Sequence, residues 1–258
     1  MPESLDIENW PWQIKVSVLG KFELQVDGEA VVFSRKAPKK TIALLKAIIA
    51  FGGADIPMQR LTDALWPELE GDAARQAFDI TLHRLRKLLH VPEAIQLHEG
   101  GVNLDTRRCW VDAGAFERLS GKAEEHWRQG ADAGAIHAVE QALRLYHGPF
   151  LAIDEDEPWT VSMRERLRGR FIHLVSNYAR RLAETGQHDR AIECYLRGLA
   201  ADDLAEEFYQ GLIRCYQQTG RRAEALAIYR RLRQTLSVTL GVSPSPASEA
   251  LYRALQTG

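Results

Sequence analysis

The chain repeats itself at a spacing of 34 residues, and that period limits its architecture more than any other feature. Gly186 recurs as Gly220, Ala191 as Ala225, Tyr195 as Tyr229 and Leu174 as Phe208. A glycine in the turn and small residues at the closest helix approach describe a two-helix repeat. One such pair cannot bury its apolar face alone and must stack on a neighbour. A partial earlier copy, Gly130 with Ala135, lies 56 residues before the same positions (186 − 130). Residues 147–159 (HGPFLAIDEDEPW) therefore read as an insertion that interrupts the array. Apolar residues at three- and four-residue spacing predict helices over 135–145, 163–184, 189–199, 206–218 and 222–236, after one that starts at 111–119. Leu240-Gly241 and the SPSP run at 243–246 break this texture before a final short helix over 247–255. An unrelated helical bundle is the plain alternative to stacked pairs.

The first hundred residues have a different texture. Residues 14–19 (IKVSVL), 22–26 (FELQV) and 31–33 are short β-rich runs separated by Gly20 and Asp27-Gly28, which predicts a small antiparallel sheet. Pro38 then suits a first helical turn, Leu44, Leu45, Ile48 and Ile49 follow at helical spacing, and Gly52-Gly53 stops the element. A second helix over 58–65 carries Leu61 and Leu65. Trp66-Pro67 ends it, and PELEGD is a connecting loop. Asp72 is placed to cap a third helix over 73–89, whose core stripe is Phe78, Leu82, Leu85 and Leu89. Its opposite face shows Gln76, Ile80, His83 and Lys87, with Asp79 and Arg86 on one flank and Arg84 on the other. An isoleucine on that face suits a thymine methyl in a DNA major groove; a surface helix with one stray isoleucine is the competing account. Residues 95–97 and 102–104 flank His-Glu-Gly-Gly, a hairpin signal. Three helices and then a hairpin is the order of a winged helix-turn-helix.

Charge gives local support only. The 33 basic and 35 acidic residues leave a formal net charge of −2, so any nucleic-acid site must come from clustering. Arg35, Lys36, Lys39, Lys40 and Lys46 lie in a stretch without an acid, and Arg75, Arg84, Arg86 and Lys87 face Asp79 alone within 73–90. Such residues could clamp phosphates on both sides of a groove, although a charge run is more often a solvated face.

At this point the sequence resembles known families. Residues 77–89 (AFDITLHRLRKLL) resemble the recognition helix of OmpR-type DNA-binding domains. Residues 16–33 (VSVLGKFELQVDGEAVVF) and 61–75 (LTDALWPELEGDAAR) resemble antibiotic regulatory proteins of the SARP type. Residues 143–151 (LRLYHGPFL), Trp159 and residues 239–255 (TLGVSPSPASEALYRAL) resemble the bacterial transcriptional activator domain of the same proteins. The resemblance implies an α+β winged helix-turn-helix with a small antiparallel sheet, followed by an all-α, tetratricopeptide-like domain used for oligomerisation and regulation. The implied division is a tail over 1–13, a DNA-binding domain over 14–110 and an activator domain over 111–258. It implies an activator that binds direct repeats in double-stranded promoter DNA and contacts RNA polymerase holoenzyme, with a homodimer in view. Gln76, Ile80 and His83 would meet base edges. Arg75, Asp79, Arg84, Arg86, Lys87, Lys39 and Lys40 would line the DNA, and the loop carrying Trp66, Glu68 and Glu70 would face polymerase. Two departures stand out. Gln76 replaces an arginine common in relatives, and Val102-Asn103 follow Gly101 where relatives have Tyr-Arg, with Glu99 near the tip. The rival account is a tetratricopeptide scaffold whose winged helix docks protein.

No motif for nucleotide, metal or covalent chemistry appears, and the sequence predicts neither an enzyme nor a cofactor. Cys109, Cys194 and Cys215 are widely spaced and suit a reducing cytoplasm; Cys194 and Cys215, on neighbouring helices of adjacent repeats, read as buried thiols, with redox sensing the rarer alternative. The acidic run Asp154, Glu155, Asp156 and Glu157 reads as an exposed loop. The aromatics Phe150, Trp159, Phe171, Tyr178, Tyr195, Phe208, Tyr216 and Tyr229 read as core. No run reaches the ~20 apolar residues of a membrane helix, and the first 13 residues are acidic, unlike a signal peptide.

Overall fold

The computed structural model describes residues 12–32, 39–154 and 156–257. The tail to residue 11, Phe33, Arg35, Lys36, Pro38 and Glu155 lie outside these. By packing, the chain forms two units, one of Met1–Leu119 with Pro149–Leu167, the other of Ser120–Gly148 with Arg168–Gly258.

The first unit opens with β1 (Ile14–Ser17), β2 (Glu23–Val26) and β3 (Glu29–Ala30). β1 and β2 run antiparallel with Ile14 opposite Val26, and Ile14 and Val16 are wholly buried on one face. The expected sheet is antiparallel; the observed one is mixed. β7 (Cys109–Val111) adds to β1 in parallel, Ile14 opposite Cys109, giving the order β3-β2-β1-β7. The turn before β7 turns on Asp105, whose carboxylate accepts from the Arg107 backbone N–H at 3.0 Å and from its guanidinium at 2.8 and 2.9 Å. That returns the chain alongside β1, and Ile14 N–H donates to the Arg108 carbonyl at 3.0 Å. Asp112 then begins α4 (Asp112–Arg128). Its buried carboxylate accepts from Val18 N–H at 2.9 Å, Leu19 N–H at 3.0 Å and Ala113 N–H at 2.7 Å.

Between those strands lie α1 (Lys39–Ala50), α2 (Met58–Leu65) and α3 (Gly71–Leu89). Leu44, Leu45 and Ile48 of α1 meet Phe78, Leu82, Leu85 and Leu89 of α3 in a core that excludes nearly all water. α3 begins two residues earlier than its pattern predicts. Glu70 occupies the capping position without a side-chain bond, so Asp72 sits inside the first turn, where its charge still suits the positive helix end. The hairpin is β5 (Ile95–His98) and β6 (Gly101–Leu104) around Glu99-Gly100, both at positive φ (49° and 82°), a two-residue turn of the kind that matches strand twist. Pairing therefore reaches His98–Gly101, one pair beyond expectation. A two-residue strand, β4 (Ile56–Pro57), pairs with β6 to complete a second sheet in the order β4-β6-β5.

Residues 149–167 belong to this same unit. Leu19 bridges Phe150, Leu151 N–H donates to the Val18 carbonyl at 2.8 Å, and Asp154 pairs with Lys46 at 2.7 Å. The Arg164 guanidinium donates to the Phe150 carbonyl at 3.0 Å. The segment read as an insertion in the repeat is therefore a structural part of the N-terminal unit, and Asp154 is an ion-pair partner rather than a free loop acid.

The second unit is helical: the latter part of α4, α5 (Asp132–Leu145), most of α6 (Val161–Glu184), α7 (His188–Ala201), α8 (Glu206–Gln218), α9 (Arg222–Leu240) and α10 (Pro246–Thr257). The repeat is visible in its turns. Gly130, Gly186 and Gly220 have φ of 71°, 77° and 70°. The next residue in each turn donates five residues back at 2.8 Å: Ala131 to His126, Gln187 to Leu182 and Arg221 to Tyr216. This is one helix-terminating motif used three times, and the left-handed position is what requires glycine. Small residues also behave as the period requires. A Cβ added to Gly211 of α8 would lie 2.2 Å from the Tyr195 ring of α7. Tyr146 stacks on Phe171 at 4.0 Å and Phe208 meets Phe171 edge-on at 6.1 Å. Like these, Phe150, Trp159, Tyr178, Tyr195, Tyr216 and Tyr229 are buried as core.

Candidate nucleic-acid interface

The outward face of α3 is built by the periodicity that buries its other side. Arg75, Gln76, Asp79, Ile80, His83, Arg84 and Lys87 are all exposed. Ile80 is 46% exposed, an apolar side chain held in water amid polar neighbours. Among the described residues Arg75, Arg84 and Lys87 have no acidic partner within ion-pair distance, so their charge is available to an external anion.

The other residues singled out by sequence lie in different settings. Arg86 turns back into the unit, where its Nε and Nη2 donate to the Ile95 carbonyl at 3.1 and 2.8 Å. It braces the hairpin against the end of α3. Lys40 donates to the Leu65 carbonyl at the end of α2, and its ammonium lies 5.7 Å from the centre of the Trp66 ring. Lys46 is committed to Asp154 and lies over Phe22 at 4.7 Å. Of the described basic residues on α1, Lys39 is the exposed one that no internal bond engages. Trp66 is only 6% exposed, so it anchors its loop while Glu68 and Glu70 form the surface.

The hairpin tip exposes His98, Glu99 and Gly100. Asn103, at the departure noted in the wing, accepts from Asp55 N–H at 2.8 Å and so secures the turn before β4. Sequence reasoning passed over Arg60. It is exposed on α2 with its guanidinium 4.2 Å from the centre of Phe51, a pairing across 9 residues that no helical period reveals. Stacking holds this cation at a fixed place on the surface.

No three His, Cys, Asp or Glu side chains gather into a metal-binding group among the described residues. All three cysteines are buried and unpaired; burial pushes the Cys109 and Cys194 thiols up to about 12 and raises that of Cys215. No described helix is long and apolar enough to cross a membrane.

The bacterial transcriptional activator domain family matches residues 111–256, more than half of the chain, and the chain belongs to that family of transcriptional regulators, in its SARP-type branch. It is 29% identical over 241 residues to the regulatory protein AfsR of Streptomyces coelicolor, covering 93% of this chain and 24% of AfsR. It is 26% identical over 267 aligned positions to the transcriptional regulatory protein EmbR of Mycobacterium tuberculosis, covering 93% of this chain and 62% of EmbR. The chain thus spans about a quarter of one relative and three fifths of the other. In three dimensions it is similar to M. tuberculosis EmbR solved with a low-affinity phosphopeptide, with a TM-score of 0.71 at 23% identity over 95% of this chain and 65% of that one.

Proposed function

We propose that this protein is a sequence-specific DNA-binding activator whose α1–α3 and β5–β6 hairpin act as a winged helix-turn-helix, with α3 entering the major groove. The carrying observation is the exposed, unpaired face of α3. It combines hydrogen-bonding groups (Gln76, His83), an apolar contact (Ile80) and cations (Arg75, Arg84, Lys87), the mixture base readout and phosphate anchoring require. Lys39 and Arg60 are added as backbone contacts. Lys40 and Arg86 are assigned to holding the α2–α3 loop and the hairpin in place, with Glu68 and Glu70 as the loop surface offered to RNA polymerase holoenzyme. Asp79 sits among the cations and would orient them or accept from a cytosine amino group.

The helical part, in its tetratricopeptide-like arrangement, is assigned to joining two copies on promoter direct repeats, in the cytoplasm and with no catalytic step. One recognition helix makes few base contacts, so linked heads gain affinity through effective concentration. The test starts with selection of DNA sites by the purified protein. Binding should be cooperative on two half-sites about one helical turn apart. Inserting about five base pairs between them turns one half-site to the opposite face and should abolish cooperativity. Unchanged cooperativity would refute a fixed join between heads, and salt-independent binding without sequence preference would refute DNA recognition itself.

A further inference from the structure

In the helical unit tyrosine hydroxyls hold carboxylates, and the repeat allows one such place to be compared with the next. Tyr229 of α9 donates to the Glu249 carboxylate of α10 at 2.5 Å. Tyr178 of α6 donates to Glu140 of α5 at 3.2 Å. Arg190 of α7 lies 3.6 Å from that same carboxylate oxygen and donates to the Tyr178 hydroxyl at 3.3 Å. Tyr195 of α7 is the repeat counterpart of Tyr229 and is buried like it. The counterpart of Glu249 is Cys215 (249 − 34), so a neutral thiol stands where the later repeat places an acid. Among the described residues nothing hydrogen-bonds the Tyr195 hydroxyl, yet its oxygen is not sealed from water. Cations flank it instead. The Tyr195 ring lies against Gly211 of α8. Arg214 follows three residues along α8, on the same side of the helix, and Arg180 takes the corresponding place on α6 one repeat earlier. Burial, and after it the Cys215 and Cys194 thiols, push the Tyr195 phenol up to about 12, while Arg214 and Arg180 both pull it down. One hydroxyl thus feels both guanidinium groups. Both arginines are exposed, and among the described residues neither pairs with an acid. Arg180 donates to Asn177 Oδ1 at 2.8 Å, which engages one of the five donors of a guanidinium.

We propose that Tyr195, Arg180 and Arg214 form a docking site for an acidic segment of a partner protein, one carboxylate of which accepts from the Tyr195 hydroxyl as Glu249 accepts from Tyr229. The two internal examples fix the ligand chemistry, since both are glutamates. Tyr178, Arg190 and Glu140 display the completed arrangement, hydroxyl and guanidinium on one carboxylate, and Tyr195 with its arginines supplies every part of it except the acid. Charge-assisted bonds from a planar guanidinium give such a contact geometric specificity as well as strength. The proposal stands apart from the DNA-binding reading, because it concerns the helical unit and is measured without DNA.

The experiment is a titration of the full chain labelled with ¹³Cζ-tyrosine, whose Tyr195 resonance, one of seven, is assigned by its loss in Tyr195→Phe. The probes are acetyl-Gly-Glu-Gly-Glu-Gly-amide, its glutamine counterpart and inorganic phosphate. The expected result is a saturable shift of the Tyr195 resonance with the glutamate peptide, a weaker one with phosphate and none with the glutamine peptide. Arg214→Gln and Arg180→Gln, both at exposed side chains, should each reduce the affinity about tenfold, the size of one lost charge-assisted bond. Arg230→Gln, at an exposed cation of α9, should leave it unchanged. Equal shifts with the glutamate and glutamine peptides, or with phosphate and the glutamate peptide, would overturn the carboxylate assignment. Equal losses from Arg230→Gln and Arg214→Gln would mean diffuse attraction to a basic surface and overturn the site. A shift of Tyr195 that follows protein concentration without any peptide would seat a second copy there and overturn the foreign partner. No shift with any probe would mean that water alone serves the hydroxyl and overturn the proposal outright.

Discussion

Gly211 shows how much one missing methyl group can decide. In the middle of α8 a glycine is the poorer helix former, and alanine there would normally gain about 1 kcal/mol. Here the added Cβ would lie 2.2–2.6 Å from three atoms of the Tyr195 ring, and rings cannot give way as flexible tails do. Gly211→Ala is therefore expected to lower stability, by about 1–3 kcal/mol as overpacked cores do, in urea unfolding followed by circular dichroism. A gain in stability would show that Tyr195 can move aside. Two carboxylates carry a pH dependence. The bond from Arg107 holds the Asp105 carboxyl below its ordinary range. Burial pushes Glu206 up, but bonds donated by Ser245 and Ser248 outweigh it and leave the group lowered. A depressed carboxylate binds its proton more readily in the unfolded chain. The stability it contributes is thus fully present above its unfolded value near pH 4 and is lost as pH falls through the folded value. Asp105→Asn should cost stability at neutral pH, and the gap from wild type should narrow on acidification below about pH 4. A gap that widens there would reverse the sign of this argument.

At the scale of elements, α3 separates two arginines two residues apart. Arg84 points outward without an internal bond, whereas Arg86 donates twice to the Ile95 carbonyl. Arg84→Ala should leave the melting temperature unchanged and flatten the salt dependence of DNA binding by about one phosphate contact. Arg86→Ala should cost about 1.5–3 kcal/mol, as loss of charge-assisted bonds does, with weaker DNA binding only as a consequence of a loosened hairpin. Equal effects of the two variants on stability would contradict the division. α3 itself was legible because Phe78, Leu82, Leu85 and Leu89 repeat at helical period, and the three repeat turns because only glycine suits their backbone. β4 and β7 were not, because strands of two and three residues carry no alternation and exist through partners far along the chain. For the same reason the internal bonds of Lys40, Lys46 and Arg86 were invisible. A cation on a polar helix face looks alike in sequence whether it faces solvent or a distant carbonyl.

For the molecule as a whole, the point where the family match begins and the point where packing divides the chain do not coincide. The match starts at residue 111, yet Asp112, Phe150 and Arg164 complete the N-terminal unit through Val18, Leu19 and the carbonyls around them. A fragment ending at residue 110 would leave the Val18 and Leu19 N–H groups without their acceptor and uncover Leu19. It is expected to melt without a cooperative transition, whereas residues 1–167 should retain near-ultraviolet signals of packed aromatics. Cooperative melting of the shorter fragment, matching the longer one, would contradict the packing described. The homologous match follows descent along the sequence, while packing follows burial, and burial draws residues 149–167 back to the first strand.

That return has a consequence for the chain as it leaves the ribosome. Residues 111–167 add 57 positions (167 − 110) after the last helix-and-hairpin segment has been made. At a synthesis rate of about 5–20 residues per second, roughly 3–11 seconds pass before residues 149–167, which carry Phe150, Asp154 and Arg164, can all reach Leu19 and α1. During that interval Leu19 lacks its cover, and chaperone capture or contact with a neighbouring nascent chain competes with closure. Slow codons would be harmful between residues 111 and 167 and tolerable beyond them, so the translation schedule of this one stretch governs the yield of folded protein.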